Sequence, residues 1–139
     1  MIVGVRGILA AVGPDWVHIQ VGGVSLQVFV PSTAIGELGS IGDAVSLHTQ
    51  LRMQNEQPVL YGFVAQDSLD FFGMLNGVSG IGPRLSLALL SSLGVARLYE
   101  AISAEDVVAL SDAPGVGRRT AGRIILELKG KLADRQLDS

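Results

Sequence analysis

Two short segments of this chain hold the residue types that phosphate binding requires. The first reads Gly80-Ile81-Gly82-Pro83-Arg84, and the second, 35 residues later, reads Gly115-Val116-Gly117-Arg118-Arg119. Paired glycines permit a tight turn directly before a helix, so backbone N–H groups and the positive end of the helix dipole point together at an anion. Because an arginine closely follows the second glycine of each pair, the segments predict contacts with a nucleic-acid backbone rather than with its bases.

The two segments lie in an internal repeat. Apolar residues recur around both at the same spacing: Leu75 and Leu110, Ile81 and Val116, Leu89 and Ile124, Leu90 and Ile125, and Leu93 and Leu128. This indicates that one supersecondary unit is duplicated. The alternative is a pair of ordinary helical hairpins, because glycine followed by proline or a polar residue is common in turns. We also expect the second glycines, Gly82 and Gly117, to adopt positive φ, which disfavours a β-branched residue there.

Charge is unevenly distributed along the 139 residues. The net charge is −3, which taken alone argues against nucleic-acid binding. However, residues 1–75 hold two basic side chains against six acidic ones, whereas residues 76–131 hold seven basic against five acidic. The positive charge therefore coincides with the glycine-containing segments, and a local basic patch matters more for binding than the total charge does.

Composition excludes several classes of function. The chain has no cysteine, which removes disulfides, thiolate metal sites and cysteine nucleophiles. His18 and His48 stand alone, and no glycine-rich loop ends in the Gly-Lys-Ser/Thr of a nucleotide site, so we expect no catalytic site, metal ion, cofactor or ATP hydrolysis. The N-terminus lacks the charge order of a signal peptide and no apolar run reaches membrane length. We therefore expect a soluble, cytoplasmic protein with no membrane partner.

Residues 1–64 predict a small β domain. Five apolar runs with turn signals between them cover Met1–Val12, Trp16–Val21, Val24–Val30, Val45–Met53 and Val59–Val64. Residues 31–38 predict a short helix between the third and fourth runs. That order is typical of an OB-fold barrel, and a small sandwich of the same strands is the alternative. With two arginines and few rings available for stacking, the domain suits scaffolding or assembly better than DNA binding.

Residues 65–139 predict a helical domain that holds both glycine-containing segments. The predicted helices are one capped by Asp67 with Asp70, Arg84–Leu93 after Pro83 and before Gly94, Glu105–Ser111 with Ser103 and Asp106 as a capping box, and Arg118–Leu132. Apolar residues cover most of the circumference of helix Arg84–Leu93, which one small helical domain cannot bury alone. We therefore expect an oligomer interface there, with deep burial between the two halves of the chain as the alternative.

Three motifs in this order resemble the RuvA family of Holliday-junction-binding proteins. They are Leu60-Tyr61-Gly62-Phe63 at the close of the β domain, Val78–Leu90 around the first glycine pair, and Ala113–Ala121 around the second. The resemblance spans essentially the whole chain. It implies a five-stranded OB-fold domain followed by two helix-hairpin-helix motifs, in a non-catalytic subunit that holds a four-way DNA junction open as a homotetramer. One tetramer or two facing tetramers would bind each junction, and the RuvB ATPase would drive branch migration in recombination and repair.

The resemblance also implies which residues contact phosphate. Carried over by position, they are Gly80, Gly82 and Arg84 in the first hairpin and Gly115, Gly117, Arg118, Arg119 and Arg123 in the second. On the last predicted helix, Arg119 and Arg123 lie one turn apart. Glu127 lies one further turn along and is placed to pair with Arg123, which would weaken the contribution of that arginine to DNA binding.

The family has an acidic pin, normally two adjacent carboxylates in the loop between the last two barrel strands, near the junction centre. Here that loop reads Gln54-Asn55-Glu56-Gln57-Pro58, so only Glu56, beside Asn55, is acidic. A tetramer would then bring four such charges rather than eight. The family also continues through a flexible linker into a third domain that binds RuvB. This chain ends at Ser139, so we expect no RuvB docking by this fragment.

Two other functions stay open at this point. A general duplex-binding accessory module would bind linear and four-way DNA equally. A DNA glycosylase fragment is the second, because Ala113–Ala121 also resembles the hairpin of base-excision enzymes that have a catalytic aspartate downstream. Asp134 and Asp138 lie downstream here, yet no further domain follows to build the pocket that a flipped base requires.

Overall fold

The computed structural model describes residues 1–137 and divides the chain into two compact units, Met1–Leu69 and Asp70–Ser139. The first unit contains strands β1 (Gly4–Val12), β2 (Trp16–Val21), β3 (Val24–Phe29), β4 (Ala44–Gln54) and β5 (Gln57–Phe63), with a short 3-10 helix, Ser32–Glu37, between β3 and β4. The helices that follow are α1 (Gln66–Asn76), α2 (Pro83–Ser92), α3 (Gly94–Ser103), α4 (Val107–Ser111) and α5 (Arg118–Leu137).

The five strands close into a barrel in the order β1-β2-β3-β5-β4. All neighbouring pairs are antiparallel except β3 with β5, which is parallel and joins only Val28 to Leu60 and Phe29 to Tyr61. This closed arrangement confirms the predicted OB-fold, and the alternative of a sandwich was wrong. Alternating residues point inward, as the period of a strand requires, and the core is built from side chains such as Leu9, Ile19 and Leu47.

The last strand, β5, requires glycine at position 62 because a side chain would not fit there. A Cβ atom built on Gly62 would lie 2.6 Å from Val28 Cγ1 and 3.0 Å from Leu47 Cδ1. Contacts this short cannot be relieved without moving the barrel core, because protein interiors are close-packed. The glycine therefore lets β5 approach the core residues of β3 and β4.

The helical unit has one helix that the sequence pattern did not predict. Helix α3 follows α2 after a single residue, Leu93, and the change of direction occurs at Gly94, whose φ of +77° favours glycine. Ser103 is the last residue of α3, so the predicted capping box was wrong. Asp106 alone caps α4, and its Oδ1 accepts a hydrogen bond from the Ala109 N–H at 3.1 Å.

Helix α2 does not present the broad apolar surface that its sequence indicated. Leu87, Leu89, Leu90 and Leu93 are all less than 9% exposed within the single chain. Among the larger apolar side chains of α2, only Leu85 is less than fully buried, and it is half-buried. The expectation that this helix needs an oligomer interface to bury its surplus leucines was therefore wrong.

In the part of the chain that the structure describes, no single helix is long and apolar enough to cross a membrane. Helices α2 and α3 pass that test of length and composition only when taken together, and they are bent by 98° at their junction.

Candidate nucleic-acid interface

The two hairpins repeat one another in their backbone hydrogen bonds as well as in sequence. The matching N–H to O bonds are Ile81 to Val78 (3.0 Å) with Val116 to Ala113 (3.1 Å), and Ser86 to Gly82 (3.1 Å) with Ala121 to Gly117 (2.9 Å). In each hairpin the first bond closes the turn and the second begins the following helix. The N–H groups before the second bond have no acceptor inside the helix, so each hairpin directs donors toward the space ahead of α2 or α5, and α2 has one fewer because Pro83 has no N–H.

The conformation of the glycine pairs differs from the one that we expected. The first glycine of each pair has positive φ, +84° at Gly80 and +85° at Gly115, whereas Gly82 has a φ of −100° and an extended backbone. Gly117 is also outside the positive-φ region. The prediction of positive φ at the second glycines was therefore wrong, because the chain reverses at the first glycine of each pair, before the helix begins at Pro83 or Arg118.

The second glycines instead leave space. A Cβ atom at Gly82 or Gly117 would meet no atom within 4 Å, and both residues are exposed at the beginning of a helix. A ligand can therefore approach the backbone closely at both positions. A larger side chain would occupy that space without disturbing the protein itself.

The four predicted arginines are exposed, and they are unequally divided between the hairpins. The first hairpin provides Arg84, at the beginning of α2, and the second provides Arg118, Arg119 and Arg123 on α5. At the 35-residue spacing, Arg119 corresponds to Arg84, but Arg118 corresponds to Pro83 and Arg123 to Ala88. The second hairpin therefore carries most of the positive charge.

Arg123 and Glu127 do not pair with each other as the sequence suggested. Within residues 1–137 no ion pair joins them, and both side chains instead reach Ser79 in the turn of the first hairpin. The Ser79 N–H donates to Glu127 Oε2 at 3.2 Å, and Arg123 Nη1 donates to the Ser79 carbonyl at 3.5 Å. The sequence could not indicate this contact, because Ser79 and Glu127 are 48 residues apart.

A second contact between the hairpins is apolar. A Cβ atom on Gly115 would lie 2.8 Å from Cδ2 of Leu85, so the second turn packs directly against α2. Lys129, further along α5, forms an ion pair of 2.8 Å with Glu105, in the turn between α3 and α4. Helix α5 therefore contacts the turn of the first hairpin and the turn between α3 and α4.

The two hairpins differ beneath their turns. In the first, Ser86 Oγ lies 2.8 Å from Asn76 Oδ1 and 3.0 Å from the Gly82 carbonyl, while Asn76 Nδ2 is buried without a hydrogen-bond partner. The residues at the corresponding positions of the second hairpin are Ser111, whose Oγ is likewise buried without a partner, and Ala121. The first hairpin therefore contains a buried polar pair that the second lacks.

The turn predicted to carry the acidic pin is a two-residue β-hairpin turn. Gln54 pairs with Gln57, and Asn55 and Glu56 between them have φ of +51° and +66°. Positive φ at both central residues is typical of a type I′ turn, where asparagine is favoured first and glycine second. Glu56 therefore occupies a backbone conformation that is unfavourable for it, with both side chains exposed at the tip.

The other residues considered from the sequence are not assembled into a reactive site. His18 Nε2 lies 3.0 Å from Gln27 Oε1, and its ring is 4.7 Å from that of Trp16. Among residues 1–137, no group of three or more histidine, cysteine or acidic side chains is placed to hold a metal ion. Asp134 is exposed on α5, and Asp138 lies outside the described residues.

Comparison with known proteins matches both halves of the chain. A family model described as the RuvA N terminal domain matches residues 1–62, and one described as a SAM-like helix-hairpin-helix tandem matches residues 72–131. The chain is 45% identical over 131 residues to the Holliday junction branch migration complex subunit RuvA of Herpetosiphon aurantiacus, covering 94% of this chain and 66% of that protein.

Two further relatives carry the same name. The identity is 42% to the protein of Pseudomonas fluorescens, with 94% of this chain and 64% of the relative covered. It is also 42% to the protein of a Thermoanaerobacter species, with 95% and 71% covered. The chain thus spans about two thirds of the length of these relatives.

Proposed function

The chain belongs to the RuvA family, and from this we propose that it binds four-way DNA junctions by their shape and without reading their sequence. Its relatives are named as Holliday junction branch migration complex subunits, and a DNA-binding subunit of such a complex requires no catalytic residues of its own. The observation that carries the proposal is the duplicated hairpin. Each copy directs a helix N-terminus, an open glycine and an exposed arginine toward solvent.

Phosphate binding in this proposal is shared between backbone and side chains. Gly80 and Gly115 shape the turns, whereas Gly82 and Gly117 allow a phosphate to approach the N–H groups at the beginning of α2 and α5. The exposed side chains that add charge are Arg84 in the first hairpin and Arg118, Arg119 and Arg123 in the second. None of these contacts distinguishes one base from another, so binding is independent of sequence.

In this proposal the two domains, residues 1–64 and residues 65–139, have different roles. The acidic barrel provides scaffolding and assembly, and the helical domain binds DNA. Four copies form a homotetramer, singly or as two facing tetramers, so that the pair of hairpins is repeated four times around an open junction. RuvB would supply ATP-driven branch migration.

Glu56 is proposed to act as a reduced acidic pin near the centre of that assembly. A carboxylate repels phosphate, so four copies at the crossover would discourage a continuous duplex from lying across it and favour junctions by exclusion. The strained conformation of Glu56 supports this proposal. A turn selected for stability alone would place glycine there, and strain of this kind clusters at functional sites.

The test compares a four-way junction with a linear duplex of equal length in gel-shift titrations at one salt concentration. We expect tighter binding to the junction and equal affinities for junctions of different sequence. Arg119→Ala should weaken both complexes, whereas Arg97→Ala is the matched control, because Arg97 is an exposed arginine on α3 outside both hairpins. Equal affinity of the wild-type protein for junction and duplex would instead identify a general duplex-binding module.

A further inference from the structure

The turn of the first hairpin is held by side chains that belong to the second. Glu127 and Arg123 lie one turn apart on α5, and they reach opposite sides of the same residue, Ser79. We term these two hydrogen bonds the Ser79 contact. The glutamate accepts from the Ser79 N–H, and the arginine donates to the carbonyl of the peptide bond that leads into Gly80. Side chains of α5 therefore contact both peptide groups that flank Ser79, the first at 3.2 Å and the second at 3.5 Å.

The Ser79 contact lies where it can affect the proposed phosphate site. Gly80, the left-handed residue that directs the turn into α2, follows Ser79 directly. Without a partner, an exposed turn of glycine and serine would be free to rotate its peptide groups. The hydrogen bonds from α5 restrict that rotation, and so they restrict where the N-terminus of α2 points.

The second hairpin cannot be held in the same way. At the repeat spacing the residue that corresponds to Ser79 is Pro114, which has no N–H to donate. The residues of α2 that correspond to Arg123 and Glu127 are Ala88 and Ser92. The second turn is instead packed against Leu85. Side chains of the second hairpin therefore hold the turn of the first, and the first hairpin has no matching residues to hold the second. The turn that is held belongs to the hairpin with fewer arginines.

A carboxylate at this place has no use in binding phosphate. Glu127 is half-buried beside the turn, and its negative charge opposes any phosphate that reaches the first hairpin. Its hydrogen bond to Ser79 accounts for its presence. We propose that Glu127 is a positioning residue that, with Arg123, holds the first turn at a fixed distance from the second, so that both hairpins reach the same DNA.

This proposal rests on the proposed function, and its first test measures junction affinity at one salt concentration. Glu127→Ala removes the acceptor and should weaken junction binding about five-fold, the size expected for one lost hydrogen bond. Glu127→Gln keeps an acceptor oxygen while removing the charge, so it should bind as tightly as the wild type or more tightly. Glu100→Ala is the matched control, because Glu100 is an exposed glutamate of the same unit, on α3.

A second variant removes the other partner without changing α5. Ser79→Pro introduces the residue that the second hairpin already carries at this position, and it abolishes the donor. It should lower junction affinity as much as Glu127→Ala does. The double variant should be no weaker than either single one, because both remove the same hydrogen bond. Additive losses would overturn the proposal.

A double-mutant cycle separates positioning from a general loss of stability. Arg84→Ala should cost a smaller factor in affinity in the Glu127→Ala background than in the wild type, whereas the cost of Arg119→Ala should be the same in both. A merely structural role would change both costs equally. Equal binding by Glu127→Ala and Glu100→Ala, or equal loss in Glu127→Ala and Glu127→Gln, would overturn the proposal.

Amide hydrogen exchange tests the contact without DNA. The Ser79 N–H should exchange faster in Glu127→Ala than in the wild type or in Glu127→Gln, while the amides of α5 stay protected. This measurement distinguishes the two possible failures. If the wild type shows no preference for junctions, the proposed function fails, and the exchange rate still decides whether Glu127 holds the turn.

Discussion

The two hairpins share a backbone conformation and a set of matched apolar residues, but they differ in their charged and buried polar side chains. Their turns have the same left-handed glycine, with φ of +84° and +85°, and the same pattern of hydrogen bonds. Yet the second carries Arg118, Arg119 and Arg123 where the first carries only Arg84. The comparison teaches that the two copies keep the same turn geometry while their charges differ. The second hairpin should therefore contribute most of the electrostatic affinity for DNA. The first should contribute mainly through the position of its turn.

The largest expected effect tests whether the two turns tolerate valine equally at their left-handed glycine. Gly115→Val should lower the free energy of unfolding of the helical unit by about 2–3 kcal/mol, because positive φ disfavours valine and the end of the half-buried Leu85 side chain must also move aside. Gly80→Val should cost only about 1–2 kcal/mol, because a Cβ atom there meets open space. Urea unfolding followed by helical circular dichroism measures both.

The control variant for this prediction should raise the free energy of unfolding instead of lowering it. Gly122→Ala lies inside α5 in open space and should raise the free energy of unfolding by about 0.5–1 kcal/mol, the usual helix preference of alanine over glycine. Equal losses for the two valine variants would show that the packing of the second turn against α2 contributes nothing.

The next effect concerns the unequal charges. Arg118→Ala combined with Arg119→Ala should weaken junction binding by about ten-fold or more and reduce the log–log salt slope by about 1.8, since each phosphate contact contributes about 0.9. Arg84→Ala should reduce the slope by about 0.9 at most. A salt titration of the junction complex gives both numbers. If Arg84→Ala were as costly as the double variant, the two hairpins would contribute equally after all.

The buried polar pair of the first hairpin gives a smaller effect, on stability. Ser86→Ala removes the hydroxyl that contacts Asn76 and should cost about 1–2 kcal/mol, because the amide is then left wholly unpaired. Combining it with Asn76→Leu should recover most of that loss, since an apolar pair of similar shape needs no partner. Thermal unfolding of the two variants measures the recovery. An additive loss in the double variant would contradict the pairing.

The smallest expected effect lies outside both hairpins. Glu56→Gln should raise affinity for linear duplex by about two- to three-fold, a size typical of one exposed charge, and narrow the preference for the four-way junction. The proposed tetramer should stay intact in this variant, and the effects of the hairpin variants should not change in its background. Both DNAs are titrated against wild type and variant at one salt concentration. An unaltered ratio of the two affinities would make Glu56 only a surface residue.

The sequence predicted most of the first unit, since short apolar runs separated by turn signals predicted the five strands and the short helix between the third and fourth. The helical half was read less well. Helix α3 was missed because Gly94 looks like an ending, whereas its φ of +77° merely redirects the chain into a new helix. That omission also placed the cap of α4 at Ser103 instead of Asp106.

For the candidate interface, spacing predicted the paired turns and which arginines belong to them. Positive φ was predicted at the second glycine of each pair, but it occurs at the first. The sequence does not show where the chain reverses relative to the beginning of the helix. The Ser79 contact could not be predicted at all. It depends on how two hairpins pack, and the pairing of Arg123 with Glu127 that local spacing favours loses to partners elsewhere in the fold.

The seam between β3 and β5 has a consequence for how the barrel forms. Only two residue pairs, Val28 with Leu60 and Phe29 with Tyr61, close it, and they join strands that are distant along the chain. The loop-closure entropy of such a pairing must be overcome before the contact stabilises anything, so closure comes late and slowly. The hairpins form from neighbouring residues and carry no such delay. We therefore expect the amides of the seam to gain protection last in a refolding experiment, after the turns that precede α2 and α5.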